Sequence, residues 1–212
     1  MILTYEQTLL QAQLEIQEQT LRFISKEIHD NVGQVLSVVK LNLGIINATD
    51  SDTYEKINYT KDLVSKAITD LRYLSKKLNP ERIVQVGLAK AIEEELKHIE
   101  KTGDFATSLE EESDLLYLPA DRTIITFRIV QELLNTIINH SEATDIHILI
   151  TNENGINKIV IKDNGKQAIQ EQYLTLENIT DRANLINVSI EFSQSEDKYN
   201  CLTLNILNTK TL

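Results

Sequence analysis

Apolar residues Ile24, Ile28, Val32, Val35, Val39, Leu43 and Ile46 recur at steps of three or four, the period of a helix with one buried stripe. No proline interrupts residues 5–47 and glycine occurs there only at 33 and 44, so the stretch reads as one long helix. Ala48-Thr49-Asp50-Ser51-Asp52 reads as a turn, with Asp50, Ser51 and Asp52 each able to cap the next helix. That second helix is predicted from about residue 53 to 78, marked by Ile57, Leu63, Val64, Ala67, Ile68, Leu71, Leu74 and Leu78. Asn79-Pro80 stops it. Two helices on a short loop make an antiparallel hairpin, which alone buries two apolar stripes poorly. Pairing two copies into a four-helix bundle solves that problem; the alternative is that the hairpin packs on the C-terminal half of its own chain.

Beyond Pro80 the pattern becomes mixed. Residues 87–101 and 174–186 have helical spacing, and 104–117 hold one or two strands. Residues 119–140 form a strong helix opened by Pro119 at or near its first position. Residues 145–151 and 157–162 alternate as strands around Asn154-Gly155, a hairpin signal. Residues 188–194 and 200–207 close the set as a strand pair. The fold class is α+β, a helical hairpin of residues 1–80 followed by a sandwich of helices on one face of a sheet, residues 81–212.

Composition narrows the function classes. With 212 residues, 42% hydrophobic and 25% charged, the chain can bury one large core or two small ones, and disorder is excluded. Cys201 is the sole cysteine, so no disulfide framework and no multi-cysteine zinc site is possible. His98 and His147 show no metal-ligand spacing. The net charge is −11, of which residues 81–212 carry −10; a nucleic-acid backbone binder needs the opposite sign. No apolar run nears about 18 residues, and Met1 leads into polar Tyr5, Glu6 and Gln7 rather than a signal peptide. The expectation is a soluble, cytoplasmic chain without a membrane span.

The main candidate for chemistry is Ile28-His29-Asp30-Asn31-Val32-Gly33-Gln34 in the first helix. His29 lies beside the apolar stripe and should be exposed. Asp30 and Gln34, four apart, share a helix face, as do His29 and Gly33. A glycine in mid-helix costs about 1 kcal/mol against alanine and invites a reason, such as close approach of a partner beside His29. The plainer alternative is a solvated surface histidine.

This run resembles the phosphoacceptor helix of two-component sensor histidine kinases, in the subfamily reading H-D-x-x-G-Q. The resemblance continues at Leu78-Asn79-Pro80, through Phe127-Arg128-Ile129-Val130-Gln131-Glu132-Leu133-Leu134, similar to the opening of the family's N-box, and at Asp163-Asn164-Gly165, similar to its D-x-G box. Four ordered motifs are a stronger signal than any one. The resemblance implies a homodimeric bundle, a histidine-kinase-type ATPase-like sandwich, ATP and Mg²⁺ as cofactors, a response regulator receiver domain as partner and a possible upstream sensor. It implies that His29 carries a phosphoryl group, that Asp30 orients the imidazole and accepts its proton, and that Gln34 positions a water against a regulator's aspartyl phosphate.

The nucleotide half departs from the family pattern. Against E-x-x-x-N-x-x-K-H, Glu132 is followed by Thr136, Asn139 and His140. The asparagine implied for Mg²⁺ is thus Thr136, with Asn135 one step and about 100° away, and the phosphate-contacting lysine is Asn139. The second glycine of D-x-G-x-G is Gln167. The box G-L-G-L-x-N-I-x-x-R aligns on Tyr173 to Arg182, with Tyr173 and Thr175 in place of both glycines. Asp163 and Gly165, on the adenine side, remain. None of the six glycines follows 165, where the family builds its glycine-rich ATP lid. The expectation is phosphoryl transfer or phosphatase chemistry at His29 with weak or absent autophosphorylation. The alternatives are an active kinase in which Thr136 ligates Mg²⁺ through its hydroxyl, and a non-enzymatic adaptor that docks a regulator. Remaining features read as ordinary: His140 as a helix C-terminal residue, Glu110-Glu111-Glu112 as a solvated loop, Cys201 as core. Residues 5–28 could continue a coiled coil from upstream or cap the bundle.

Overall fold

The computed structural model describes residues 2–46, 50–112, 118–153, 155–166, 176–195 and 199–207. The chain divides into two compact units, residues 1–82 and 83–212.

The first unit is a helical hairpin. The first long helix runs as α1 (Ile2–Glu27), a π-helical turn (Ile28–Val32) and α2 (Gly33–Ile45), and α3 (Ser51–Leu78) returns beside it. Asp50 caps α3, its side chain accepting from the Thr53 N–H at 2.8 Å; that bond holds the Asp50 carboxyl below its usual range. Of the apolar residues that mark these two helices in the sequence, Ile68 alone is buried among the described residues. Most of the predicted stripe stays open: Val32 is 44% exposed, Val35 62% and Ile46 52%, and Leu41 and Ile45 beside it are open too. About one turn before His29 the helices meet through a polar contact. Buried Ser25 donates to the Ser75 carbonyl at 2.8 Å, and Ser75 donates back to the Ser25 carbonyl at 2.9 Å.

The Asn79-Pro80 break ends α3 as predicted, and it also begins a helix that the pattern missed, α4 (Pro80–Val86). Proline at a first helical position loses no needed N–H, and the Asn79 side chain accepts from the Glu81 N–H at 2.9 Å. Gly87, at φ +83°, makes the left-handed turn into α5 (Leu88–Glu100).

The second unit is a five-stranded sheet in the order β1-β2-β3-β5-β4, comprising β1 (Ala106–Glu111), β2 (Asp145–Glu153), β3 (Ile156–Asp163), β4 (Val188–Gln194) and β5 (Asn200–Leu207). β1 pairs parallel with β2 and every other pairing is antiparallel. α5, α6 (Ala120–His140) and α7 (Leu176–Leu185) supply the helical layer. Alternation places Ile146, Ile148 and Ile150 of β2 with Ile159 and Ile161 of β3 on one face, where they share a core with Leu133, Leu134 and Ile137 of α6. Each such side chain contributes about 2 kcal/mol on burial. Glu110 and Glu111, predicted as loop, are exposed positions of β1. β1 is the edge strand of the sheet, and its last two residues are open to solvent, so charge there did not exclude a strand. Cys201 is buried in β5. Among the described residues, no helix is long and apolar enough to cross a membrane.

Candidate functional site

The π-helical turn shapes the site in the first unit. Gly33 donates its N–H to the Ile28 carbonyl, five residues back, so this turn holds one residue more than an α-helical turn. In a continuous α-helix His29 and Gln34 would sit roughly 140° apart around the axis. Here both line one open groove of about 390 Å³, with Gly33, Ser37, Leu71 and Arg72. Ser37 donates to the Gly33 carbonyl at 2.7 Å, satisfying the next turn. A β-carbon at Gly33 would lie 3.3 Å from the Ile28 carbonyl oxygen. A side chain here would need that carbonyl to give by a few tenths of an ångström, so glycine eases the closing of this turn.

His29 and Gln34 are exposed, as expected of His29, and Asp30 is half-buried. The groove differs from the sequence pattern in one respect. The four-residue step paired Asp30 with Gln34, whereas the extra residue of the π turn brings His29 to Gln34 and leaves Asp30 outside the lining. Among the described residues, the side chains of His29, Asp30, Gln34 and Arg72 have no hydrogen-bond or ion-pair partner. Arg72 was not singled out from the sequence. It sits among the periodic apolar marks of α3, and its one signal was a cation next to Leu71 on a helix paired with the histidine helix.

In the second unit, α6 presents Glu132 and Thr136 half-buried and Asn135 and Asn139 exposed, since Leu133, Leu134 and Ile137 face the core. Glu132 is held by Arg182 of α7 at 3.2 Å. The Thr136 hydroxyl donates to the Glu132 carbonyl at 2.9 Å, and the Asn139 amide donates to the Asn135 carbonyl at 2.7 Å. Thr136 thus spends its one donor and Asn139 one of its two on their own helix, leaving their oxygen lone pairs for a ligand. His140 ends the helix.

Asp163, at the end of β3, is fully buried. Its Oδ1 accepts from the Gly165 N–H at 2.8 Å and from the Asn200 amide at 3.1 Å, while Oδ2 is buried without a partner among the described residues. Burial pushes its carboxyl above the usual range, opposed by those hydrogen bonds. A β-carbon at Gly165 would lie 2.3 Å from the Ser141 carbonyl oxygen, so only glycine fits there. The orphan oxygen suits a ligand amino group, and the adenine side of the implied ATP fits. On the metal side no three His, Cys, Asp or Glu side chains cluster among the described residues. Gln167, Tyr173 and Thr175 lie outside the described residues.

Residues 22–82, which hold the whole groove, match the histidine kinase family HisKA_3. The chain is similar to sensor histidine kinases. It is 26% identical over 156 residues to the signal transduction histidine-protein kinase/phosphatase UhpB of Salmonella typhimurium, covering 72% of this chain and 31% of that protein. It is 24% identical over 161 residues to the sensor histidine kinase MctS of Rhizobium johnstonii, covering 74% of this chain and 35% of that one. The chain thus spans about a third of the length of these curated relatives. Among solved structures, the blue-light activated histidine kinase EL346 of Erythrobacter litoralis superposes with a TM-score of 0.51 at 12% identity, over 78% of this chain and 65% of that one. At that identity the likeness is one of fold: a helical region followed by a mixed α/β sheet domain.

Proposed function

We propose that this chain passes phosphoryl groups between His29 and a response regulator aspartate, or hydrolyses the aspartyl phosphate, with ATP-dependent autophosphorylation weakened. The observation that carries the reading is the groove that joins His29 to Gln34, both with unpartnered side chains. In transfer, a ring nitrogen of His29 attacks the aspartyl phosphorus. The P–N bond forms as the P–O bond breaks, the aspartate leaves as its carboxylate, and Asp30 takes the proton from the other ring nitrogen. In hydrolysis, the Gln34 amide holds the water whose oxygen attacks phosphorus, giving aspartate and inorganic phosphate. Positioning is the main contribution such a site can make.

The open apolar positions of the hairpin support assembly as a homodimer, where a second copy would cover Val35, Leu41 and Ile45. The second unit would hold adenine through Asp163 and Gly165. ATP would supply the phosphoryl group to His29, but Thr136 and Asn139 replace the implied metal and phosphate ligands. A second reading, an active kinase, draws on the orphan Asp163 oxygen, which suits a retained nucleotide.

One experiment separates the readings. The protein is incubated with labelled ATP·Mg²⁺, and separately with phosphorylated receiver domains. Rapid label on His29 from ATP would establish the kinase reading. Receiver dephosphorylation or transfer that needs His29 or Gln34, with little label from ATP, is the expected result. No change in either reaction, in wild type or His29→Ala, would leave the adaptor.

A further inference from the structure

We propose that Arg72 of α3 is the cation that receives the phosphoryl group in the His29–Gln34 groove. The inference rests on the phosphoryl chemistry assigned above and adds the residue that neutralises the group's charge. A transferring phosphoryl group spreads negative charge over its equatorial oxygens, and neutralising it is most of what a protein can do for the reaction. His29 and Gln34 supply a nucleophile and an amide, and neither is a fixed cation.

Three observations point to Arg72. It lines the same groove from the opposite helix, and no carboxylate lines that groove, in a chain of net charge −11. Its guanidinium has no ion pair or hydrogen-bond partner among the described residues, although acidic side chains elsewhere on these helices do hold neighbouring cations, as Asp52 holds Lys56. The hairpin also fixes its level: the reciprocal Ser25–Ser75 bonds lock α1 to α3 four residues before His29 and three after Arg72. A guanidinium offers five donors in a rigid fork that matches two phosphoryl oxygens at once, which an ammonium does not. Arg72 neither gives nor takes a proton. It binds the phosphoryl oxygens while the bond to His29 forms or breaks.

The test uses phosphoramidate, a small phosphodonor that needs no receiver domain. The His29 ring nitrogen attacks phosphorus, the donor's P–N bond breaks and ammonia leaves. Phosphohistidine is followed by ³¹P NMR and mass spectrometry in wild type, Arg72→Ala, Arg72→Lys and His29→Gln, with thermal unfolding and oligomeric state as fold controls. Expected is labelling of wild-type His29, slowed about 100-fold in Arg72→Ala, intermediate in Arg72→Lys, and partly restored to the alanine variant by free guanidinium. Restoration is a readout that a merely structural role for Arg72 would not give. Labelling of folded Arg72→Ala within twofold of wild type would overturn the proposal and leave the His29 reading standing. No label on wild-type His29 would instead overturn the phosphoryl reading itself, and this one with it.

Discussion

Gly33 donates its backbone N–H to the carbonyl of Ile28, and that i→i+5 bond is what sets His29 and Gln34 into a common groove. An α-helical turn would point them apart by roughly 140°. The chemistry proposed for the chain therefore depends on one local departure from helical regularity.

Replacing Gly33 with alanine sets two effects against each other. Alanine favours helix by about 1 kcal/mol, but its β-carbon would stand 3.3 Å from the Ile28 carbonyl oxygen and press on the turn. Unfolding free energy should change by less than about 1 kcal/mol, while His29 phosphorylation falls at least several-fold. Chemical denaturation and phosphohistidine mass spectrometry on the same sample check both halves. Unchanged labelling would detach the π turn from function.

Ser25 and Ser75 are 4% and 7% exposed and bond reciprocally across the hairpin. Ser75→Ala should destabilise the hairpin by about 1 kcal/mol. Because the two hydroxyls also lie 3.3 Å apart, Ser25→Ala should cost less once Ser75 is gone. A double-mutant cycle measures that coupling.

Asp163 predicts a pH effect of unusual sign. Its folded-state carboxyl titrates above the unfolded value, so the neutral form is favoured by folding. Its stabilising share is present below the unfolded value near about 3.9 and is lost as pH rises through the raised folded value. Asp163→Asn should therefore stabilise the second unit at pH 7, with the gain vanishing in the acid range. Thermal unfolding from pH 3 to 7 shows this; a variant that is less stable at pH 7 would contradict it.

Restoring the implied phosphate-side ligands should raise kinase activity. In Thr136→Asn with Asn139→Lys, label from ATP·Mg²⁺ should reach His29 at least about tenfold faster than in wild type. Position 139 is exposed and 136 half-buried, so neither change enters the core. Equal labelling would place the defect elsewhere.

The strands were legible because Ile146, Ile148 and Ile150 alternate with half-exposed neighbours, and the hairpin because its apolar steps persist over many turns. Asp163 with Gly165 was legible as one motif, whereas helical spacing paired Gln34 with Asp30 rather than with His29. The features that escaped were set by backbone closure or by pairing across helices. A π turn has no periodic signature, and only the mid-helix Gly33 hinted at it. Pro80 was read as an ending because proline both stops one helix and suits the first turn of the next. Arg72 and the Ser25–Ser75 lock depend on which residues of α3 face α1 and α2, which hydrophobic spacing fixes only to within a turn.

The central claim is tested most directly by the decay of phosphorylated receiver domains mixed with wild type, His29→Ala and Gln34→Ala. Wild type should accelerate loss of the aspartyl phosphate; Gln34→Ala should lose the hydrolytic part, and His29→Ala the part that passes through phosphohistidine. Identical decay in all three, equal to that of the receiver domains alone, would contradict the account.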